Sequence, residues 1–502
     1  MAAGTQTIAI SAGAAPAPAP PQARRRDPSG LRIALAFVAI LGAARLIDVS
    51  EDGPAMLLFG MGYTAAVASV AVLRPRWFPL LAASYLPFSR AYSVGLVGIP
   101  GANMINLLIL LGLVATIAAR STRRARVHLG STVRLVVVYI AVGVLSVYPS
   151  LTSGAFGMGE IIQLYRSWVA PVLFFLFVVA IVRDRQDVAD IVEVMAFAAT
   201  IVAALTWMEG LGRQGRGTID ASRVSGLMRQ ANSMGAFLVY YGVPLLALAL
   251  TSKSWRRRAL YLAGFLVTAR AVLFTFSRGA YLSLAAGSAV VVLLRSPLLL
   301  LAGVGGGALT VAAVPSLIPS SVMERLGDTT SEEKGLYDPT AVEQLDRSSA
   351  HRLVLWRGAA RMIAQHPLQG VGIGLFQDMI GNYTEVPLRR DDPRDAHNAF
   401  ILIAAEMGIP MLLLLVLLHC CFAALALRLY FRRRLLVDRT LGLSFLGCQV
   451  GVIVSCMLGS RFSDEALIAY FWMMAGMLCV TSALPEPLPT RRQRPVVRSR
   501  RG

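Results

Sequence analysis

The chain has 502 residues, of which 56% are hydrophobic and 15% are charged. This balance is too apolar for a soluble two-domain protein, so we expect a polytopic membrane protein. The formal net charge of +20 could indicate a nucleic-acid binder, but the basic residues fall mostly in short clusters between apolar runs. That distribution follows the positive-inside rule for membrane proteins, and no nucleic-acid partner is expected.

Five segments are predicted along the chain. Residues 1–30 form an Ala/Pro-rich, disordered cytoplasmic N-terminus without a cleavable signal peptide. Residues 31–317 hold membrane helices, residues 318–396 form one large, partly helical periplasmic loop, and residues 397–484 return to membrane helices. Residues 485–502 form a basic cytoplasmic tail. The fold class is therefore all-α, a polytopic membrane helix bundle with about 12–14 spans.

Each predicted span is an apolar run of about 20 residues. The span at Trp77 is the weakest, because Pro79 and Pro87 interrupt it. The spans are predicted to begin near Leu31, Pro54, Trp77, Ala102, Thr132, Trp168, Val188, Ser233, Ala259, Gly279, Pro297, Asn398, Thr440 and Glu465.

Basic clusters alternate along the chain, and this alternation predicts the topology. The Lys/Arg excess falls in every second loop and in both termini, so these parts are predicted to be cytoplasmic. The loop 210–232 breaks the pattern, because it is predicted to be external and yet carries Arg213, Arg216, Arg223 and Arg229. An anionic ligand is one reason for arginines there. Contact with lipid headgroups is the other.

The large external loop has an acidic first half and a helical second half. A helix is predicted over residues 348–365, with an apolar stripe at helical spacing formed by Leu353, Trp356, Ala360 and Ile363. It would lie flat on the membrane surface or on the bundle. Gly370-Val-Gly372-Ile-Gly374 follows, and we expect a tight turn that returns the loop toward the membrane.

Four basic side chains are predicted to share the external side: Arg223, Arg278, Arg352 and His397. Arg278 lies between two apolar runs, where its planar guanidinium can face a phosphate. Snorkelling toward the lipid headgroups is the alternative for this residue. Three guanidiniums and an imidazole suit a diphosphate and a hydroxyl nucleophile, whereas they suit a cation pathway poorly. The sequence carries none of the spaced Cys and His ligands of a metal motif, so neither a metal nor a cofactor is expected.

Taken together, these motifs resemble the O-antigen ligase and polymerase family of bacterial envelope glycosyltransferases. The resemblance covers roughly residues 166–431, and the order of its motifs is more specific than any one of them. They are Arg223-Val-Ser-Gly226 with Asn232, Ser277-Arg278-Gly279-Ala280, Arg352-xxx-Trp356 with His366-Pro367-Leu-Gln-Gly370-Val-Gly372, and His397-Asn398 with Glu406 and Pro410.

The resemblance implies a GT-C-like, nucleotide-independent and inverting glycosyltransferase of the bacterial inner membrane, with a periplasmic active site. Its donor would be a glycan on a polyprenyl diphosphate. Its acceptor would be a glycan, lipid A-core or a protein, so polymerase, O-antigen ligase and protein O-oligosaccharyltransferase activities all remain open. Membrane lipids would surround it. A transporter of polysaccharide or lipid-linked sugar is the alternative from another class.

The same resemblance assigns roles to single residues. Arg278 and Arg223 match arginines that hold the diphosphate, and Arg352 joins them. His397 matches the histidine that takes a proton from the acceptor hydroxyl. Asn398 would orient His397 or a sugar hydroxyl, whereas Glu406 either contacts substrate or stabilises a broken helix. The charged run 389–394 before His397 would bind acceptor sugars or form a solvated, salt-bridged face.

Overall fold

The computed structural model describes residues 29–46, 54–92, 103–121, 130–214, 222–313, 347–385, 387–388 and 394–486. The predictions for residues 1–28, 318–346 and 487–502 therefore lie outside the described residues. So do Arg216 and most of the charged run before His397, residues 389–393.

Helices dominate the described residues, and no β-strand occurs among them. The predicted all-α polytopic bundle is thereby confirmed. In chain order the helices are α1 (Ser29–Leu46), α2 (Pro54–Leu73), α3 (Phe78–Tyr85), α4 (Met104–Ser121), α5 (Ser131–Gly143), α6 (Val147–Ser153), α7 (Met158–Ile181), α8 (Arg185–Arg213), α9 (Ala231–Thr251), α10 (Trp255–Leu273), α11 (Arg278–Arg295), α12 (Pro297–Ala313), α13 (Arg347–Gln365), α14 (Phe376–Met379), α15 (Ala399–Met407), α16 (Ile409–Arg432), α17 (Leu436–Met457) and α18 (Glu465–Ala483).

Within the described ranges, 9 helical stretches are long and apolar enough to cross a membrane. They are α1, α5 continued by α6, α7, α8, α9, α11, α16, α17 and α18. Shorter apolar stretches lie in α2, α4 and α12. The arginine-bearing helix α10 packs against α8 and α9. These helices lie where the sequence places apolar runs.

Two of the predicted spans do not correspond to one helix of spanning length, and the span predicted from Trp168 begins earlier, at Met158 of α7. The span predicted from Trp77 is wrong, because α3 has only 8 residues and is buried along its whole length. At a rise of about 1.5 Å per residue, such a helix cannot cross a bilayer. The span predicted from Asn398 is divided at Gly408, whose φ is +85°. Only its second part, α16, is long enough to cross.

Helix α18 occupies the centre of the bundle, and 89% of its apolar window is buried. Trp472 packs edge-on against Phe175 and Phe422, with ring centroids 6.3 and 6.0 Å apart. Gly476 lets α7 approach closely, since a Cβ atom there would lie 2.9 Å from Phe175 O. A helix that is hydrophobic on all sides needs such complete enclosure.

The two ends of the bundle differ in how their charges are paired. At one end, the first turns of α8 and α17 are joined by Arg185 and Asp438, with Nε and Oδ1 2.7 Å apart. The loop between α9 and α10 lies at the same end, because Thr440 donates a hydrogen bond to Thr251. We call this the Lys253 end, after the lysine of that loop. The opposite end, where α8 and α17 finish and α9 and α11 begin, is the His397 end.

Candidate functional site at the His397 end

His397 lies directly before α15 in a tight bend, with a φ of +48°. Its Nδ1 atom is 3.2 Å from Asp395 Oδ2, and its side chain is 29% exposed. Trp356 of α13 donates a hydrogen bond from Nε1 to Ala396 O at 2.7 Å. Positive φ is uncommon for non-glycine residues and marks strained, frequently functional positions. The bend thus fixes the imidazole with a carboxylate on Nδ1, which leaves Nε2 as the atom able to accept a proton.

Charged neighbours control the protonation of this imidazole. Burial lowers the pKa of His397 below its ordinary value, and Asp395 raises it in part. Arg352, Arg461 and His351 lower the pKa further. The net direction is downward, which favours the neutral form of the ring. A neutral imidazole among cations can act as a general base toward a hydroxyl group.

The Arg223 side chain contacts the turn between α10 and α11, which directly precedes Arg278. Arg223 donates hydrogen bonds from Nε to Thr275 O at 3.2 Å and from Nη2 to Asn232 Oδ1 at 2.8 Å. Arg278, three residues after Thr275, is the first residue of α11, and the Ser277 side chain caps that helix. The two arginines therefore belong to adjoining segments at a helix N-terminus, where the helix dipole favours an anion.

Glycines let these segments approach one another. A Cβ atom on Gly235 would lie 2.7 Å from Ala280 Cβ. A Cβ atom on Gly279 would lie 3.3 Å from Leu458 Cβ. The second contact brings the Arg278 segment against the loop 458–464, which joins α17 to α18 and is called the connector loop below. Gly279 thus allows a neighbouring segment of the protein to approach closely.

The connector loop carries a basic residue that sequence reasoning missed. Arg461 is only 8% exposed, and its Nη1 atom donates to Ser455 O at 2.6 Å and to Ser455 Oγ at 2.8 Å. The next residue, Phe462, packs edge-on against Phe400, with centroids 5.8 Å apart. Phe400 follows His397 by three residues, so the connector loop lies beside the histidine bend.

A signal for Arg461 was present in the sequence. The loop between the last two predicted spans is external by the predicted topology, and an arginine there opposes the positive-inside rule. The same rule indicates Arg223, which also lies in a loop predicted to be external.

Two ion pairs fasten the end of the connector loop and the first residue of α18 to the rest of the bundle. Arg90 Nη2 lies 3.0 Å from Asp464 Oδ2. Arg166 Nη2 lies 3.1 Å from Glu465 Oε1. Burial raises the pKa of Asp464, whereas Arg90 and Arg461 lower it. Asp464 and Glu465 neutralise the charges of Arg90 and Arg166. Arg461 therefore contributes positive charge to the site.

Arg352 reaches the site on α13, which begins at Arg347, close to the predicted Ser348. The buried face of α13 differs from the predicted stripe, because Ala360 is exposed and its neighbour Ala359 is buried. The helix packs against α15, in agreement with the predicted packing on the bundle, and this contact selects the buried face. That face consists of His351, Val354, Leu355, Gly358, Ala359 and Met362.

Asn398 caps helix α15. Its Oδ1 atom accepts hydrogen bonds from Phe400 N at 3.0 Å and Ile401 N at 3.1 Å. This is the usual chemistry of an asparagine N-cap. Through it, Asn398 sets where α15 starts and hence where His397 stands, so the role in orienting the histidine fits the geometry better than contact with a sugar.

Glu406 faces the glycine turn that returns from the large loop. Its Oε1 atom accepts a hydrogen bond from Phe376 N at 3.2 Å. Burial raises the pKa of Glu406 to about 7, although backbone donors at Gly374 and Phe376 oppose this rise. The predicted turn is present, with positive φ at Gly370, Gly372 and Gly374. Of the two interpretations left open for Glu406, stabilising a broken helix agrees with these contacts.

Backbone hydrogen bonds complete that junction. Val371 N donates to Ala405 O at 2.9 Å, Gly372 N donates to Glu406 O at 3.0 Å and Ile409 N donates to Pro367 O at 2.8 Å. A Cβ atom on Gly370 would lie 2.3 Å from the Glu406 carbonyl carbon. The end of the large loop is therefore fixed against α15.

Two cavities in the structure contain none of the predicted site residues. One lies beside Gly226 and Leu227, close to the Arg223 segment. The other lies at the Lys253 end. Among the described residues there is no group of three or more His, Cys, Asp or Glu side chains arranged to hold a metal ion.

Fold and site together define a polytopic all-α membrane protein with arginines and a poised histidine at one end of its bundle. The model of the O-antigen ligase family matches residues 263–416, and this match confirms the resemblance found in the sequence. It supports membrane glycosyl transfer of the O-antigen ligase and polymerase type. No curated protein matches the sequence. Arg278, Arg352 and His397 fall inside the matched residues, whereas Arg223 and Arg461 lie outside them.

Proposed function

We propose that the protein transfers a glycan from a polyprenyl-diphosphate donor to an acceptor hydroxyl, as a polysaccharide polymerase or an O-antigen ligase. The observation that carries this proposal is the placement of His397. Its Nδ1 atom lies against Asp395, and Arg352 and Arg461 act on it electrostatically. The segments of Arg223 and Arg278 lie at the same end of the bundle.

The reaction is a single displacement at the anomeric carbon. The acceptor oxygen forms a bond to that carbon as the bond to the diphosphate oxygen breaks, and the configuration inverts. His397 Nε2 takes the proton of the acceptor hydroxyl. The electron pair of the broken bond leaves with the diphosphate, so nucleotide chemistry is not required.

Arginines suit the leaving group in this scheme. Charge grows on the diphosphate as its bond to the sugar breaks, and guanidiniums neutralise it through paired, charge-assisted hydrogen bonds. Arg223, Arg278 and Arg352 are proposed to bind the diphosphate. Arg461 adds positive charge near His397, and a cation there helps to keep the imidazole neutral and therefore basic.

The proposed setting is the bacterial inner membrane, with the His397 end facing the periplasm and both termini in the cytoplasm. Positive-inside placement of the basic loops supports this orientation. The Lys253 end, with its clustered Lys and Arg residues, would then face the cytoplasm.

The test is transfer by the purified protein in detergent, with a polyprenyl-diphosphate-linked repeat unit and with or without lipid A-core. We expect His397→Ala to lower the rate by about 10²- to 10⁴-fold, because general base catalysis contributes that much. His366→Ala is the matched control. His366 contacts Tyr383 OH at 3.3 Å and has no proposed role in the chemistry.

The products distinguish the remaining alternatives. A ladder of lengths identifies a polymerase, a single core adduct identifies a ligase, and glycosylated protein identifies an oligosaccharyltransferase. Detergent removes compartments, so a transporter would leave the donor intact. Unchanged transfer by both His397→Ala and Arg278→Ala would overturn the assignment of the site.

A further inference from the structure

A cavity of about 240 Å³ lies at the Lys253 end, far from the proposed reaction. It is bounded by the first turns of α8, α10 and α17 and by the last turn of α9. Three of these helices, α8, α9 and α17, are candidate membrane spans. A ligand that enters between such helices comes most directly from the membrane itself.

The lining of this cavity divides into an apolar wall and a charged rim. Val192, Leu248 and Val437 contribute to the apolar wall. Lys253 and Arg257 line the cavity on the α10 side, and both are exposed. Two neighbouring cations beside an apolar wall match the phosphate and acyl parts of a lipid.

A carboxylate lines the cavity together with the cations. Glu193 of α8 lines the cavity and is also exposed. Both Glu193 and Arg257 act electrostatically on Tyr261, a further lining residue, so the two charges lie near the same phenol. A headgroup that carries only negative charge would be repelled by Glu193. A headgroup with a phosphate and an ammonium group satisfies both signs.

A buried hydroxyl supplies the last feature. Ser444 of α17 is 3% exposed, lines the cavity and has an Oγ atom without a hydrogen-bond partner. The nearby Thr440 and Thr251 hydroxyls are bonded to each other at 2.9 Å. Because burying an unbonded hydroxyl is unfavourable, a polar atom of a ligand is expected opposite Ser444.

We propose that this cavity binds one phosphatidylethanolamine molecule. Lys253 and Arg257 hold its phosphate, Glu193 holds its ammonium group, and Ser444 donates to an ester carbonyl. The apolar wall contacts the first part of an acyl chain, and the remainder of the chain lies in the bilayer. The bound lipid fills the space between α10 and the central helices α9 and α17.

Native mass spectrometry of the full-length protein in detergent tests this site, with phosphatidylethanolamine and phosphatidylglycerol titrated separately. Wild-type protein is expected to bind one phosphatidylethanolamine more tightly than it binds phosphatidylglycerol. The double variant Lys253→Gln/Arg257→Gln should bind both lipids about tenfold or more weakly, since each charge-assisted hydrogen bond contributes strongly. Glu193→Gln should lose the preference between the two lipids.

Arg256→Gln is the matched control, because Arg256 lies over the Trp255 ring at 5.9 Å and does not line the cavity. It should keep wild-type affinity for both lipids. Ser444→Leu should occlude the cavity and weaken both lipids, with thermal unfolding reporting whether the variant folds. Soluble glycerophosphoethanolamine should not compete, and equal competition would show that a soluble headgroup is sufficient and would overturn the lipid site.

Two further results would contradict the proposal. One is wild-type protein that binds phosphatidylglycerol as tightly as phosphatidylethanolamine. The other is unchanged lipid binding in the double variant. Glycan transfer on the same preparations reports separately on the His397 end, so failure of one proposal leaves the other intact.

Discussion

Arg185 and Arg461, at opposite ends of the bundle, bond to different kinds of partner. At the Lys253 end, Arg185 and Arg76 each contact a carboxylate directly, and Asp438 is completely buried beneath Arg185. At the His397 end, Arg461 is only 8% exposed, and its hydrogen bonds go to the neutral oxygens of Ser455.

We propose that an arginine paired with a buried carboxylate stabilises the fold, whereas an arginine bonded to neutral oxygens binds a ligand. A buried ion pair compensates itself, and its disruption leaves one charge without a partner. A buried guanidinium on neutral oxygens keeps its charge available, which is unfavourable in isolation and favourable when an anion arrives. Even at the His397 end the outer arginines, Arg90 and Arg166, are paired with carboxylates, so the net positive charge is concentrated near His397.

The largest expected effect is a loss of stability when Arg185, at the Lys253 end, is replaced. Arg185→Gln should lower the free energy of unfolding by about 3–5 kcal/mol, because it leaves the Asp438 carboxylate buried and unpaired. Thermal unfolding in detergent measures the loss, and transfer per folded molecule should stay near that of wild type. Arg434→Gln, an exposed change in the neighbouring loop, is the control. Equal stability of Arg185→Gln and Arg434→Gln would remove the distinction between the two ends.

Replacement of Arg461 is expected to lower activity and to leave stability nearly unchanged. Arg461→Gln should reduce kcat/KM about tenfold on the acidic limb of the pH profile, because loss of this cation raises the pKa of His397 and each pKa unit lowers the fraction of neutral imidazole about tenfold. Its thermal unfolding should change little, since glutamine can still bond to Ser455. Arg461→Lys should recover part of the rate. A variant that loses stability and activity in proportion would assign Arg461 to the fold.

The smallest effect concerns pH. The transferring form contains neutral His397, so kcat/KM should rise with pH through the pKa of that imidazole. Asp395 raises this pKa, whereas burial, Arg352, Arg461 and His351 lower it. Asp395→Asn should therefore move the acidic limb of the pH profile to lower pH, and Arg352→Gln should move it to higher pH. Shifts in the opposite directions would exclude His397 as the titrating base.

Much of the architecture followed from the sequence. Apolar runs, glycine placement and basic clusters predicted an all-α membrane bundle, and the turn at Gly370, Gly372 and Gly374 was predicted from composition alone. The predicted helix from Ser348 to Gln365 is present within one residue. These features depend on local chemistry, which a sequence displays directly.

The features that sequence reasoning missed depend on contacts between distant segments. The buried face of α13 is chosen by α15, and periodicity alone selected the wrong stripe. Arg461 acquires its place only because Phe462 packs on Phe400 and Leu458 packs on Gly279, two contacts that join remote parts of the chain. The N-cap role of Asn398 could have been predicted from the sequence, since asparagine is a common cap at the start of a helix.

The glycine turn has a consequence for how this protein can change. Main-chain hydrogen bonds join residues 367–372 to residues 405–409, so few side chains in the large loop are needed to hold His397 in position. Under the proposed function, substitutions in the described stretch 381–385 would alter the surface offered to an acceptor without breaking these main-chain bonds, so engineering of new acceptors should begin there.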